Sequence, residues 1–387
     1  MGALNVLRLG GATCSGKTTL LRLLEEGHDL LADAELSGLL CGRSLSVAVA
    51  ASFVEAAAKG EAHADFAART LAERKKQVLC IEEELAGRDF VLDEDGMSVC
   101  AVQLVLPEYL WEARRQWRFA RGYTTTPSWA RVGNVPASYR LHSARALEAE
   151  LTVKFLDVSD CPARIVSREQ AARVFAGRTR ESDAEAPRLT YHGAVRAGDE
   201  WFGDPAHREA IQRRFDHYFD GEKLQGAAVL DLGCAEGAFS LEAARRGAAM
   251  VFAIDARPER LATLQALREV ARLPVTTVCL SFRDGPPLPN FVGRGGGRYG
   301  LTLMLNVLRH LRDPEKALRE ALRVSDRMLL ETIEAAETQF GRPPQQAFSQ
   351  EWVGGIAAEE GFRCERREAG LQPEQRALWV MQRKPVD

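Results

Sequence analysis

Apolar positions along the chain fall into short continuous runs separated by amphipathic stretches, and this alternation occurs twice. In the first half, residues 4–9 (LNVLRL), 28–34 (HDLLADA), 89–96 (DFVLDEDG) and 151–159 (LTVKFLDVS) predict strands. Helical spacing predicts helices over 16–25, 46–87, 107–121 and 163–178. From about residue 200 the pattern restarts, with helices predicted at 204–219, 236–247, 258–272, 313–323 and 349–361. The intervening strands are predicted at 227–232, 250–255, 276–281, 299–306 and 327–333. Two last apolar runs, 362–368 and 376–384, have no helix between them and read as an antiparallel hairpin. Strands that alternate with helices imply parallel sheets covered on both faces, an α/β class.

Length turns this double pattern into two domains. A chain of 387 residues exceeds one ordinary core. Between the two alternations, "TRESDAEAPR" at 179–188 is charged, poor in large apolar residues and carries a proline. The expected division is therefore a domain over 1–180, a linker over 181–198 and a second domain over 199–387. A net charge of −3 supplies no global basic field for nucleic acid. The eight cysteines include no CxxC pair and suggest reduced thiols. No stretch is apolar for long enough to span a bilayer, so the expectation is a cytoplasmic protein with no membrane span.

Two glycine loops carry the chemistry. Gly11-Ala12-Thr13-Cys14-Ser15-Gly16-Lys17-Thr18 follows the first strand and opens a helix. Its glycines let backbone N–H groups converge on phosphate oxygens at a helix N-terminus. Lys17 can reach the terminal phosphates, and the Thr18 hydroxyl can ligate Mg²⁺. This GxxxxGK[ST] run resembles the Walker-type loop of small P-loop kinases, with the nucleotide held by Gly11, Ser15, Gly16, Lys17, Thr18 and Thr19. The resemblance implies ATP, a Mg²⁺ shell completed by Asp93, and an acid near the acceptor at Asp33. It also implies lid arginines over the transferred phosphoryl group, here Arg164 and Arg168, expected i,i+4 on one helical face.

The second loop, Asp231-Leu232-Gly233-Cys234-Ala235-Glu236-Gly237, resembles motif I of class I S-adenosylmethionine-dependent methyltransferases, roughly D-x-G-x-G-x-G. Ala235 replaces the middle glycine. No Lys-Ser/Thr follows the last glycine, which disfavours a triphosphate. Asp255, at the end of the next strand, is placed for ribose hydroxyls. "YGLTLMLNVLRHLRDPEKALREALR", 299–323, resembles the fourth-strand region of the same family. The resemblance assigns the donor site to Asp231, Gly233, Cys234, Gly237, Asp255, Phe282 and Asn306, with Asp284 beside Phe282. His310 is the candidate proton acceptor, with an ordinary pKa suited to that role. Tyr191, His192, Trp201 and Phe202 are candidates for a cap over the acceptor.

The expected fold is two doubly wound domains: an N-terminal P-loop NTPase fold and a C-terminal Rossmann-like methyltransferase closed by an antiparallel hairpin. The expected function is a bifunctional kinase–methyltransferase that uses ATP, Mg²⁺ and S-adenosylmethionine on a glycan or small-metabolite acceptor. Two alternatives stay open. One is a methyltransferase regulated by a nucleotide-binding domain, and the other is an RNA-modifying enzyme tracked by the basic helices 107–121 and 162–180. The acceptor, its methylated atom and the oligomeric state are left undetermined at this level.

Overall fold

A computed structural model describes residues 4–10, 17–28, 30–41, 45–49, 63–74, 78–82, 97–120, 139–140, 143–144, 146–147, 154–177, 189, 191–282, 288–292, 297–333, 348–368 and 376–385. The chain divides into two units, Met1–Ser182 and Asp183–Asp387.

In the first unit the elements run β1 (Leu4–Gly10), α1 (Lys17–Glu25), α2 (Ala34–Leu40), β2 (Leu45–Val49), α3 (His63–Arg74), β3 (Val78–Glu82) and β4 (Met97–Val105). They continue with α4 (Glu108–Ala120), β5 (Lys154–Asp157), β6 (Arg164–Val166) and α5 (Arg168–Phe175). The strand order is β2-β3-β1-β4-β5-β6. All neighbours are parallel except β5 and β6. From β1 the chain moves outward to β2, returns to β3 beside β1, then crosses to β4 on the other flank. The carboxyl end of β1 is therefore a topological switch point, where open α/β sheets bind ligands. Leu21 and Leu24 of α1 and Leu36 and Leu40 of α2 pack with Leu104 and Leu156 of the sheet in a buried core.

Several expected elements change. The alanine-rich stretch 46–87 is not one helix, because Leu45–Val49 and Val78–Glu82 pair residue by residue as parallel strands around α3. Strand pairing overrides the helical propensity of alanine there. Residues 28–34 contribute only a bridge at Leu31 with Ala163, because Asp33 turns the chain into α2, its carboxylate accepting the Leu36 N–H at 2.9 Å. The strand β4 was not expected; the expected strand 89–96 lies outside the described residues.

The helix expected over 163–178 divides into β6 and α5. Ser167 and Gln170 form a capping box, each side chain bonding the other's backbone N–H. The helix therefore starts at Arg168, and Arg164 and Arg168 do not share a helical face.

The second unit runs β7 (Ala194–Ala197), β8 (Glu200–Gly203), a 3₁₀ turn (Pro205–His207), α6 (Arg208–Tyr218), β9 (Ala228–Leu232), α7 (Ala238–Arg245), β10 (Met250–Asp255), α8 (Pro258–Ala271) and β11 (Val275–Cys279). It continues with β12 (Leu301–Leu305), a 3₁₀ turn (Leu308–His310), α9 (Pro314–Arg323), β13 (Arg327–Ile333), α10 (Gln350–Glu359), β14 (Phe362–Glu368) and β15 (Arg376–Arg383). The order is β11-β10-β9-β12-β13-β15-β14. The first five strands are parallel, and β15 runs antiparallel to both of its neighbours. Apart from β7 and β8, which were not expected, these elements lie within a few residues of those predicted.

Local chemistry explains the agreement. Asp313 caps α9 through the Lys316 N–H at 3.0 Å, with Pro314 in the first turn. The expected linker is too long, since its residues 194–197 form β7 paired with β8. Ala194, Val195 and Ala197 are buried, so this hairpin is part of the unit.

Candidate functional site

The second unit's site lies where β9 and β12, neighbours in the sheet, send their connections to opposite sides. Ligands of doubly wound sheets bind at the carboxyl ends of strands at such a point. The loop after β9 turns tightly: Gly233 and Cys234 both donate to the Ile254 carbonyl, at 2.8 and 3.0 Å, and Gly237 donates to Cys234. Gly233 and Gly237 hold φ of +76° and +78°. A Cβ on Gly233 would meet Val307 at 2.7 Å, and one on Gly237 would meet Leu264 at 2.3 Å. Both positions therefore demand glycine sterically as well as conformationally. Ala235, at the family's middle glycine, holds φ of +51° and bears the strain of a left-handed Cβ.

Asp255, buried at the end of β10, secures that strained residue. Its carboxylate accepts the Ala235 N–H and the Arg257 N–H, each at 2.9 Å. Asp231 is buried beneath the loop and accepts the Ser240 hydroxyl. Burial pushes its carboxyl up to about 7, a shift that the Ser240 bond opposes and the nearby Asp255 reinforces. A carboxyl whose folded pKa is raised stabilises the fold below its unfolded value near 4 and loses that advantage as pH climbs through about 7. Asp231→Asn should therefore gain stability relative to wild type between pH 4 and pH 8, by up to about 4 kcal/mol. Paired urea unfolding curves across that range check it, and a pH-independent difference would refute the assignment.

Cys234 is buried, its thiol pushed well up by burial. Phe282 is half-buried after β11, and Asp284 lies outside the described residues. Asn306 follows β12 with φ of +58° and donates its backbone N–H to the Glu331 carbonyl at 3.0 Å. Its side-chain Oδ1 is buried without a hydrogen-bond partner among the described residues. A buried amide oxygen left unpaired costs free energy, and a ligand donor would recover it. His310 is exposed in the turn after β12, with Arg309 Nε 3.3 Å from its Nε2. The nitrogen that would take a proton in that tautomer already faces a cationic donor.

Two groups escaped the sequence reading. Glu331, buried in β13, accepts from Arg214 at 3.1 Å, Arg376 at 2.7 Å and the Tyr218 hydroxyl. Burial opposes its charge, but Arg214, Tyr218 and Arg376 outweigh that and hold its carboxyl below the usual range. The signal was present as an acid inside the apolar strand "RMLLETI", which needs a buried partner. Glu236, 1% exposed in the motif loop, accepts from the Tyr191 N–H at 3.0 and 3.1 Å and from the His192 N–H at 3.2 Å. His192 is half-buried, and burial first and the Arg214 charge second push its imidazole down to about 4.

In the first unit, Lys17 and Thr18 open α1 and Thr19 follows in its first turn. Gly11, Ser15, Gly16 and Asp93 lie outside the described residues. Asp33 caps α2, so its carboxylate has a structural partner. Arg164 is exposed and lies 3.5 Å from Asp157. Arg168 is exposed, donates to the Leu147 carbonyl and stacks over Phe155. In the basic helix α4, Trp111 is buried and stacks on Tyr139, Arg114 donates to the Val158 carbonyl, and Arg115 pairs with Glu112. Among the described residues no group of three His, Cys, Asp or Glu side chains could hold a metal. No described helix is long and apolar enough to cross a membrane.

Comparison with known proteins finds a family and several relatives that this chain resembles. Residues 229–327 match the family described as "Methyltransferase domain". The tRNA U34 carboxymethyltransferase of Alcanivorax borkumensis is 32% identical over 169 residues, covering 41% of this chain and 49% of the relative. The chain thus spans about half the length of that curated relative. Among solved structures, magnesium protoporphyrin IX methyltransferase from Synechocystis PCC 6803 with bound SAM is 17% identical, with a TM-score of 0.36, covering 46% of this chain and 80% of that one. An S-adenosylmethionine-dependent methyltransferase from Aquifex aeolicus is 21% identical, with a TM-score of 0.35, covering 46% and 94%. Residues 229–327 of the C-terminal unit thus carry a methyltransferase domain. A kinase finds no counterpart in these matches.

Proposed function

We propose that the chain transfers a methyl or substituted methyl group from an S-adenosylmethionine-type donor through its C-terminal unit, and that its N-terminal unit binds ATP with Mg²⁺. The observation carrying the first part is the convergence of the Gly233–Gly237 loop, Asp255 and Asn306 at the carboxyl ends of adjacent strands. The donor fits these residues. Asp255 would accept from ribose hydroxyls with the lone pairs its two backbone bonds leave, and Phe282 would flank the adenine. The unpaired Asn306 Oδ1 would accept from an amino group at the donor's other end.

The donor itself supplies an electrophilic carbon on sulfur. What the chain supplies is alignment, which suffices for an in-line displacement. A base at His310 is not required, and the Arg309 contact argues against that ring as the proton acceptor. Calorimetric titration of the intact protein with S-adenosylhomocysteine tests this part, and absence of binding would remove it.

For the acceptor, the relative named as a tRNA U34 carboxymethyltransferase favours RNA over the glycan or small metabolite that the sequence suggested. RNA affinity that falls steeply with salt, together with label transfer to tRNA, would support this reading. Transfer to small hydroxylated acceptors alone would reverse the choice.

Support for ATP in the N-terminal unit is that the Gly11–Thr18 motif follows in sequence directly on β1, whose carboxyl end is a switch point of the sheet. The phosphate loop lies outside the described residues, so no phosphoryl step is derived, and kinase against regulatory nucleotide site is decided by phosphoryl transfer. ATP binding lost in Lys17→Ala, with S-adenosylhomocysteine binding kept, is the expected result. Absence of ATP binding in the wild type would end this part.

A further inference from the structure

The segment that leads into β7 is tied to the donor site at two points, and the ties come from two different elements. From the loop after β9, the buried Glu236 carboxylate takes the N–H groups of two consecutive residues, Tyr191 and His192, through three contacts of 3.0–3.2 Å. From the first turn of α8, after β10, the Arg260 guanidinium lies 4.9 Å from the centre of the Tyr191 ring. Between those two elements, at the end of β10, sits Asp255. Tyr191, its backbone held by the first element and its ring by the second, therefore bridges the connections that follow β9 and β10. Tyr191 is 52% exposed, so the anchoring is not a by-product of burying that residue. The His192 ring lies edge-on to Tyr191 at 4.8 Å and faces Phe239 of α7, which steadies the segment from within.

A neutral side chain could have anchored a loop to a loop. A carboxylate buried in this position costs desolvation unless its bonds are strong, and charge-assisted bonds to adjacent N–H groups are of that kind. We infer that Glu236 is a positioning residue for the donor: it latches the Tyr191–His192 segment across the nucleoside cleft, with the Arg260–Tyr191 stack as a second latch. The inference rests on reading that cleft as the methyl-donor site. Its consequence is kinetic. The latched segment helps to hold the bound nucleoside, so weakening the latch lowers affinity, and such losses fall mostly on the rate of departure.

The test uses the intact chain, immobilised, with S-adenosylhomocysteine as the probe. Glu236→Gln keeps the shape, removes the charge and turns an N–H₂ toward backbone donors. It should speed dissociation roughly 10-fold with association changed about 2-fold at most. Arg260→Ala, at the outer latch, should speed dissociation about 3-fold, the scale of an exposed cation–π contact. Amide exchange in peptides covering residues 191–192 should quicken in Glu236→Gln. Cooperative melting close to wild type separates this from unfolding, and Arg260→Ala keeps the test decisive if Glu236→Gln fails to fold. Unchanged dissociation in both variants, with wild-type binding intact, overturns the latch alone. No binding by the wild-type chain overturns the donor-site reading, and the latch with it.

Discussion

Glu331→Gln is expected to destabilise the C-terminal unit by about 3–5 kcal/mol, the largest stability effect among the substitutions considered. The shape is preserved, so the loss is electrostatic. Arg214 and Arg376, whose side chains are only 21% and 18% exposed, are left as two guanidiniums around a neutral amide. The Tyr218 hydroxyl loses its charged acceptor at the same time. Because α6 meets β13 through Arg214 and Tyr218, its amides should lose protection first.

The pH dependence has a definite sign. The Glu331 carboxyl is held below its usual range, so its contribution is present above the unfolded pKa near 4 and disappears as pH falls through the folded value. The penalty of Glu331→Gln should therefore be full at pH 7 and shrink in strong acid. Urea unfolding with hydrogen exchange at both pH values measures this. A penalty under about 1 kcal/mol at pH 7 would mean that the cluster is solvated and contributes as surface pairs do.

The second large effect is on binding. Asp255→Ala should weaken S-adenosylhomocysteine affinity by about 100-fold or more, near 3 kcal/mol. Two losses combine there. The Ala235 N–H, on a residue already in the left-handed region, loses the acceptor that holds it, so the loop relaxes away from its turn. The ribose hydroxyls lose their carboxylate in the same step. Asp255→Asn keeps one acceptor oxygen and should fall between wild type and alanine. Calorimetry on all three proteins orders them, and equal affinity of the alanine variant would show that the nucleoside lies elsewhere.

The contrast between the units explains what could be read in advance. In the second, strands such as "AVLDL" and "RMLLETI" are continuous apolar runs, the helices between them are amphipathic, and Asp313-Pro314 marks a helix start. In the first, "LSVAVAASFVEAAAKGEAHADFAARTLAER" carries one alanine-rich composition through β2 and α3. Propensity alone could not divide it, and the strand at Leu45–Val49 exists because β3 lies beside it. Arg164 and Arg168 were misplaced for a different reason. The Ser167-x-x-Gln170 cap that starts the helix at Arg168 lies inside a basic run whose composition alone is compatible with one continuous helix.

By itself the sequence determined the α/β class, the repeated alternation of strands and helices, and the spacing of Asp231, Gly233, Gly237 and Asp255 along the chain. Each of these rests on local spacing, where backbone geometry and side-chain period act within one or two elements. Only the tertiary structure decided that Asp33 is a helix cap and that the Asn306 amide oxygen is buried unpaired. It alone brought Glu331 to Arg214 and Arg376, and Glu236 to the backbone of Tyr191 and His192. Those contacts join residues 44 to 117 positions apart. Such pairs are set by how strands order themselves in a sheet, which no local period encodes.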